Sequence, residues 1–364
     1  MRAALEEEAA RGRRRELRLR SGLDFSSNDY LGLAERWSRT PLEVPLHGST
    51  GSRLLSGQSE AWRRCEERLS DWHGCGRRAL YFSSGYLAGE GLLATLLQED
   101  SWVASDASNH GSLIDGMRLG KAERFIYPHQ DLEALEDGLS KAPRGKRRFV
   151  VTESLFGMDG DLTDLPALVS ICEHHDALLI LDEAHATGCY GPGGKGLAAE
   201  AGVSEKIFAS IHTCGKAFAS HGAYVLVPDI LRETLIQRCR QFLFTTALPP
   251  ALALCTERAL EVFEKEPELR SRLAEASGFL RAELEAAGFE AGPAGHIFIL
   301  RLGSSRTAQA WMEGLEQKGF HVPAIRYPTT PENGARLRIS VRADHPREAL
   351  ADLVRALVEI REGR

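Results

Sequence analysis

The sequence predicts an α/β protein with a mainly parallel sheet covered by helices, followed by a smaller α+β domain. Two observations predict the first part. Short, uninterrupted apolar runs recur along the first two thirds of the chain, and amphipathic segments of helical length lie between many of them. Runs of that kind suit strands buried on both faces, and their alternation with helices is the pattern of a parallel sheet. The third observation is a change of pattern after about residue 250. Long Glu/Arg/Ala/Leu helices there alternate with two isolated strands.

Taken in order, residues 1–40 read as an N-terminal segment. Its opening, MRAALEEEAARGRRRELRLR, reads as a charged surface helix. It has no apolar core of the secretory kind, and the run Glu6-Glu7-Glu8 argues against a transit peptide. Residues 41–250 form the expected large domain. Its strands are ALYF (79–82), WVA (102–104), RFIY (124–127), RFVVT (148–152), LLILD (178–182), IFASI (207–211) and AYVLV (223–227). Within it, residues 60–73 place Ala61, Cys65, Leu69 and Trp72 on one helical face. The basic stretch RGKRR (144–148) reads as a solvated loop before a strand. Residues 251–364 form the expected small domain, with helices over about 251–288, 306–318 and 346–361 and strands IFILRL (297–302) and RLRISV (336–341).

Composition narrows the function. The 364 residues are 43% hydrophobic and 26% charged, with a net charge of -6. That acidic balance gives no general attraction for nucleic acid. No apolar stretch approaches the roughly 20 residues that span a bilayer. The cysteine count is seven, an odd number, and no CxxC occurs. Neither a disulfide framework nor a zinc site is expected, no metal is called for, and a reducing cytoplasm is the expected location.

LLILDEAHATG (178–188) ends an apolar run in Asp182-Glu183-Ala184-His185, which could be the magnesium-binding box of a nucleotide-driven helicase. That box needs a phosphate loop, GxxxxGK[ST]. The three Gly-Lys pairs, at 145–146, 194–195 and 215–216, all lack both the first glycine and the final hydroxyl. What remains is an aspartate and a histidine at the carboxyl end of a strand, where open α/β sheets bind ligands. A second strand end leads into HTCGKAF (212–218), with Lys216 between small residues. A third strand, ALYF, runs into SSGYLAGEG (83–91), a strand–helix turn suited to a phosphate. A lysine, an aspartate and a phosphate site are what pyridoxal phosphate (PLP) requires.

The set resembles the α-oxoamine synthases, a branch of the fold type I PLP enzymes. The resemblance runs from SSNDYLGL (26–33) through GSTGSRLLSG (48–57), SSGY (83–86), DASNHGSL (106–113), VTESLFGMDGD (151–161), LDEAHATGCYGPGGKG (181–196), HTCGKAF and FTTALPP (244–250) to RLRISV. It implies a fold type I transferase with a seven-stranded sheet in the large domain. It implies that Lys216 holds PLP covalently and moves the substrate α-proton. Asp182 would pair with the pyridine nitrogen, His185 would bond the phenolic oxygen and His110 would stack on the ring. Gly85 and Tyr86 would give backbone amides to the phosphate, and Thr213 its hydroxyl. Thr245 would reach the phosphate of the other subunit of a homodimer. Arg338, rather than its neighbour Arg336, would bind the amino-acid carboxylate, with Asn28 nearby. Ser52 stands where glycine-using members carry threonine.

The implied reaction is the decarboxylative condensation of L-alanine with a pimeloyl thioester, on coenzyme A or acyl carrier protein, to 8-amino-7-oxononanoate in biotin synthesis. Sister reactions of the family, which use glycine or serine with acetyl, succinyl or palmitoyl donors, are the alternative. A plain aminotransferase or an inactive subunit are others, the last disfavoured by Lys216, Asp182 and His185 together. Three positions depart from the family pattern. Gly157 replaces a common serine, Trp62 stands where many relatives have histidine, and His221 lies in the lysine loop, where it reads as structural.

Overall fold

A computed structural model describes residues 6, 8–14, 22–39, 48–292 and 295–363. Much of the expected N-terminal charged helix and the expected break at residues 40–41 lie outside the described residues. Two compact units divide the chain: Met1–Leu31, Gly157–Asp161 and Glu268–Arg364 form one, and Gly32–Phe156 with Leu162–Pro267 the other.

The first strand, β1 (Leu23–Asp24), belongs to the smaller unit. The larger unit then runs α1 (Glu60–His73), β2 (Arg78–Phe82), α2 (Gly85–Leu96), β3 (Ser101–Asp106), α3 (Gly111–Leu119), β4 (Glu123–Tyr127), α4 (Leu132–Ser140) and β5 (Arg147–Glu153). It continues with α5 (Leu165–His174), β6 (Ala177–Asp182), β7 (Ala209–Thr213), β8 (Ala223–Val227), α6 (Asp229–Arg238) and α7 (Pro250–Lys265). The seven strands β2–β8 form one sheet in the order β2-β8-β7-β6-β5-β3-β4. β4, β3, β5, β6 and β7 are mutually parallel, whereas β8 is antiparallel to both β7 and β2. Each of the seven predicted runs therefore became a strand, with small shifts of boundary. The basic stretch at 144–148 is only partly loop, because Arg147 and Arg148 already sit in β5.

Local chemistry explains the elements that hold the site. α1 starts where the Ser59 hydroxyl accepts the Trp62 N–H and stops at Gly74, whose φ of 66° suits glycine. Its buried face includes Trp62, Cys65, Leu69 and Trp72. α7 packs against α1 through a two-pronged Arg64–Glu257 pair at 2.8 Å. That packing puts α7 in the larger unit, beyond the expected boundary at residue 250.

The smaller unit holds α8 (Glu268–Ala286), β9 (Ile297–Gly303), α9 (Ser305–Gln317), β10 (Phe320–His321), β11 (Ala324–Ile325), β12 (Ala335–Ser340) and α10 (Arg347–Arg361). The expected single helix over about 251–288 is two helices, because Pro267 offers no N–H to continue the first. β11, β12 and β9 form an antiparallel sheet in that order, and β1 pairs with β10 in parallel. No helix among the described residues is long and apolar enough to cross a membrane.

Candidate active site

In the larger unit, β6 and β7 are parallel neighbours whose ladder ends with Asp182 opposite Ile211. Both chains leave the sheet at that end. β6 passes into Glu183-Ala184-His185, and β7 passes through Thr213 into the loop that carries Lys216. The Lys216 Nζ lies 2.7 Å from the His185 Nε2. The loop is closed on itself by the Ala219 N–H to the Lys216 carbonyl (2.8 Å) and the Ser220 N–H to the Cys214 carbonyl (2.9 Å). Its base is fixed by the Cys214 N–H to the Gly222 carbonyl at 2.9 Å. Only glycine suits that position. Its φ is 87°, and a Cβ there would lie 2.8 Å from the Phe82 carbonyl oxygen.

Asp182 is buried, at 7% exposure, and its Oδ1 accepts the Ala184 N–H at 2.8 Å. Burial raises its pKa, while Lys216, the Ala184 amide and His110 pull the other way. His110 caps α3. Its Nδ1 accepts the Ser112 N–H at 3.2 Å, with the Ser112 hydroxyl at 2.9 Å. Nδ1 is thereby an acceptor, so the proton of the neutral ring sits on Nε2. Part of the side chain is exposed, but the protein around the ring lowers its pKa, with Asp182 opposing. The His110 N–H is held by Glu153 Oε1 at 2.7 Å. Glu153 ends β5 directly opposite Asp182 in the ladder. Sequence reasoning gave Glu153 no role. The signal was available, since it ends a strand next to the one that ends in Asp182.

At the start of α2 the Ser84 hydroxyl accepts the Leu87 N–H at 3.2 Å. The amides of Gly85 and Tyr86 precede it and have no place in the helical ladder. The Thr213 hydroxyl stands beside this turn, 3.5 Å from where a Cβ on Gly85 would be. The Tyr86 side chain turns away and donates to Asp115. The donor set fits PLP. A lysine amine, a buried carboxylate for a ring nitrogen, and two helix-end amides with a hydroxyl for a phosphate all belong to one end of one sheet.

Ser52 and Thr245 come from a second place in the larger unit. The segments that carry them are tied by the Ala247 N–H to the Gly51 carbonyl at 2.9 Å and by the Ser49 hydroxyl to the Ala247 carbonyl. Trp62 donates its ring N–H to the Leu248 carbonyl at 3.0 Å, so this departure from the family pattern packs and braces that segment. His221 accepts the Tyr81 hydroxyl at its backbone carbonyl, 2.7 Å away.

Arg338 and Asn28 belong to the smaller unit. Arg338 is 4% exposed. It donates to the Gly157 carbonyl (2.6 Å), the Ser340 hydroxyl (2.7 Å) and Asn28 Oδ1 (3.1 Å), and all of these acceptors are neutral. Arg336, on the same face of β12, is instead paired with Asp159. Alternation along the strand could not separate the two arginines, but their partners do.

Glu183, next to Asp182, is fully buried, and burial pushes its pKa up to about 7 from the ordinary 4.5. A carboxyl whose folded pKa is raised stabilises the fold fully below pH 4.5 and loses that contribution as the pH rises through about 7. Unfolding by urea should therefore show the protein losing stability between pH 5 and pH 8, by about 2 kcal/mol. The Glu183→Gln variant, which keeps the shape of the neutral acid, should lack that loss. Parallel pH curves for the two proteins would contradict the assignment.

Residues 20–357 match the aminotransferase class I and II family. The 8-amino-7-oxononanoate synthase of Chlorobaculum parvum is 40% identical over 355 residues, which is 93% of this chain and 89% of that protein. Among solved structures, the chain is similar to the 8-amino-7-oxononanoate synthase of Francisella tularensis, at 27% identity and a TM-score of 0.78, over 94% of this chain and 98% of that one. It is also similar to a serine palmitoyltransferase from S. paucimobilis with a bound PLP–myriocin aldimine, at 25% identity and a TM-score of 0.89, over 99% and 97% of the two chains. The chain belongs to the aminotransferase class I and II family and, within it, to the α-oxoamine synthases.

Proposed function

We propose that the protein is a PLP-dependent acyltransferase that condenses L-alanine with a pimeloyl thioester. The products are 8-amino-7-oxononanoate, CO2 and the free thiol carrier, in a step of biotin synthesis. The observation that carries the proposal is the meeting of Lys216, His185 and Asp182 at the ends of two adjacent strands, in a chain 40% identical to a protein of that name.

Bound PLP supplies an electron sink for the carbanion formed at the alanine Cα. The protein's residues do the rest. Asp182 would keep the ring nitrogen protonated, and its burial would limit the screening of that pairing by water. The amides of Gly85 and Tyr86 and the Thr213 hydroxyl would hold the phosphate. His185 would bond the phenolic oxygen, and His110, with its proton on Nε2, would lie against the ring. Lys216 anchors the cofactor, then removes the Cα proton and later returns one. The condensation would form a bond from Cα to the thioester carbon as the C–S bond breaks and the thiol carrier leaves, and loss of the carboxylate as CO2 would leave Cα to take its proton from Lys216. Arg338 binds the alanine carboxylate with its planar fork. Its neutral hydrogen-bond partners leave its charge uncompensated among the described residues, whereas Asp159 already balances Arg336. Asn28 accepts from Arg338 and holds it in place.

The working form in this reading is a homodimer, with Thr245 reaching the phosphate of the partner subunit. Leu55 and Phe244, exposed at 84% and 73%, border the Ser52 and Thr245 segments and suit burial against a second copy. Ser52 shapes the space for the alanine methyl. A cytoplasmic setting agrees with seven cysteines that are all unpaired.

Purified protein given alanine, glycine or serine with pimeloyl, acetyl, succinyl or palmitoyl thioesters should turn over fastest with alanine and the pimeloyl donor. A clear preference for glycine or serine, or for another donor, moves the protein to a sister reaction. Arg338→Lys should raise the KM for alanine by about 10- to 100-fold, as expected for loss of a charge-assisted forked pair. Arg336→Lys should change it far less. Equal effects of the two would remove Arg338 from the carboxylate site.

A further inference from the structure

Beyond its last ladder bond, the loop after β6 is tied to β7 by a buried polar chain that the proposed mechanism does not use. His212, 1% exposed, sits in β7 one residue before Thr213. Its Nδ1 is 2.7 Å from the Thr187 hydroxyl, and its Nε2 is 2.7 Å from the Ser210 hydroxyl. The Thr187 hydroxyl in turn donates to the Glu183 carbonyl at 2.9 Å. The Thr187 hydroxyl has a single hydrogen to donate, and a carbonyl can only accept. Thr187 must therefore accept from His212, which fixes the proton of His212 on Nδ1 and makes Nε2 the acceptor for Ser210. Tyr224 stacks on the ring at 4.8 Å with planes 9° apart, and His73 packs beside it at 4.6 Å. No carboxylate lies among these partners, and burial keeps the imidazole neutral.

We infer that His212 is a positioning residue. Locked as its Nδ1–H tautomer, it clamps the Glu183–Thr187 loop to β7 and so sets the distance between His185 and Lys216. Glu183 and Thr187, joined by the Thr187 hydroxyl, bracket His185, and His212 itself precedes Lys216 on β7, so any slack in the clamp is passed to that 2.7 Å contact. The inference takes from the proposed function only that His185 and Lys216 work together on PLP. It does not depend on which amino acid or thioester is used.

The test compares two amides. His212→Asn places an amide N–H near the position of Nδ1 and keeps the donor to Thr187. Gln reaches the Nε2 position and loses it. Thr187→Val removes the acceptor and serves if the Gln variant fails to fold. In the holoenzyme labelled with 15N-histidine, the His212 ring should show a protonated Nδ1 and a bare Nε2 from pH 6 to pH 9. His212→Gln and Thr187→Val should move the pH midpoint of the bound cofactor's visible absorbance by about half a unit or more. They should also lower kcat roughly 10- to 100-fold, as small misplacements in active sites do, with little change in KM. His212→Asn should keep the midpoint and stay within about threefold of the parent kcat. A protonated Nε2, or Gln and Asn variants that behave alike, would overturn the inference. A substrate panel that favours a sister reaction while the NMR and absorbance results hold would displace only the functional reading.

Discussion

The ladder between β6 and β7 stops at Asp182 and Ile211, and the chemistry of the site hangs from that stop. Two neighbouring parallel strands send two loops out from the same end of the sheet. One loop carries a carboxylate and a histidine, the other a lysine. Hydrogen bonds in a parallel ladder fix relative position to a fraction of an ångström, so the strands supply the precision and the loops supply the functional groups. β5 extends the arrangement by one strand, because Glu153 stands opposite Asp182 and holds the backbone of His110. One end of a single sheet thus positions groups that lie more than a hundred residues apart.

Burial then sets how these groups behave. Asp182, Glu183 and His212 all sit where water cannot reach their charges, yet the outcome differs with the partners. Asp182 has Lys216 and His110 within electrostatic reach, which oppose the upward push on its pKa. Glu183 has mainly amide donors, and its pKa is pushed to about 7. His212 has two hydroxyls and two aromatic neighbours, and stays neutral. In the smaller unit the same logic separates Arg336, balanced by Asp159, from Arg338, whose hydrogen-bond acceptors among the described residues are neutral oxygens. The cost of burying a charge falls when an opposite charge shares the burial. An unbalanced buried cation is accordingly the position suited to an anionic substrate group.

Much of this was legible in the sequence, and for physical reasons. Strands buried on both faces are apolar throughout, so all seven strands of the large sheet could be read as runs. The helix over 60–73 could be read from its periodicity alone. Lys216 and Asp182 stood out in the sequence as candidate site residues only because small residues and strand ends surround them in a known order. Other features depend on contacts distant in sequence. Nothing in the local pattern links Thr187 with His212, or Arg336 with Asp159. Pro267 was visible and still passed over, because the helical composition continues on both sides of it. The unit boundary near residue 267 rests on the packing of α7 against α1, which a composition change at residue 250 does not report.

The central claim is that Lys216 is the residue that carries PLP at this strand end. Reduction of the yellow holoenzyme with borohydride, followed by digestion and mass spectrometry, tests it directly. The account predicts one pyridoxyl group per chain, on the peptide that contains Lys216, and no pyridoxyl label on a Lys216→Ala variant. A pyridoxyl group on any other lysine, or full labelling of that variant, would contradict it.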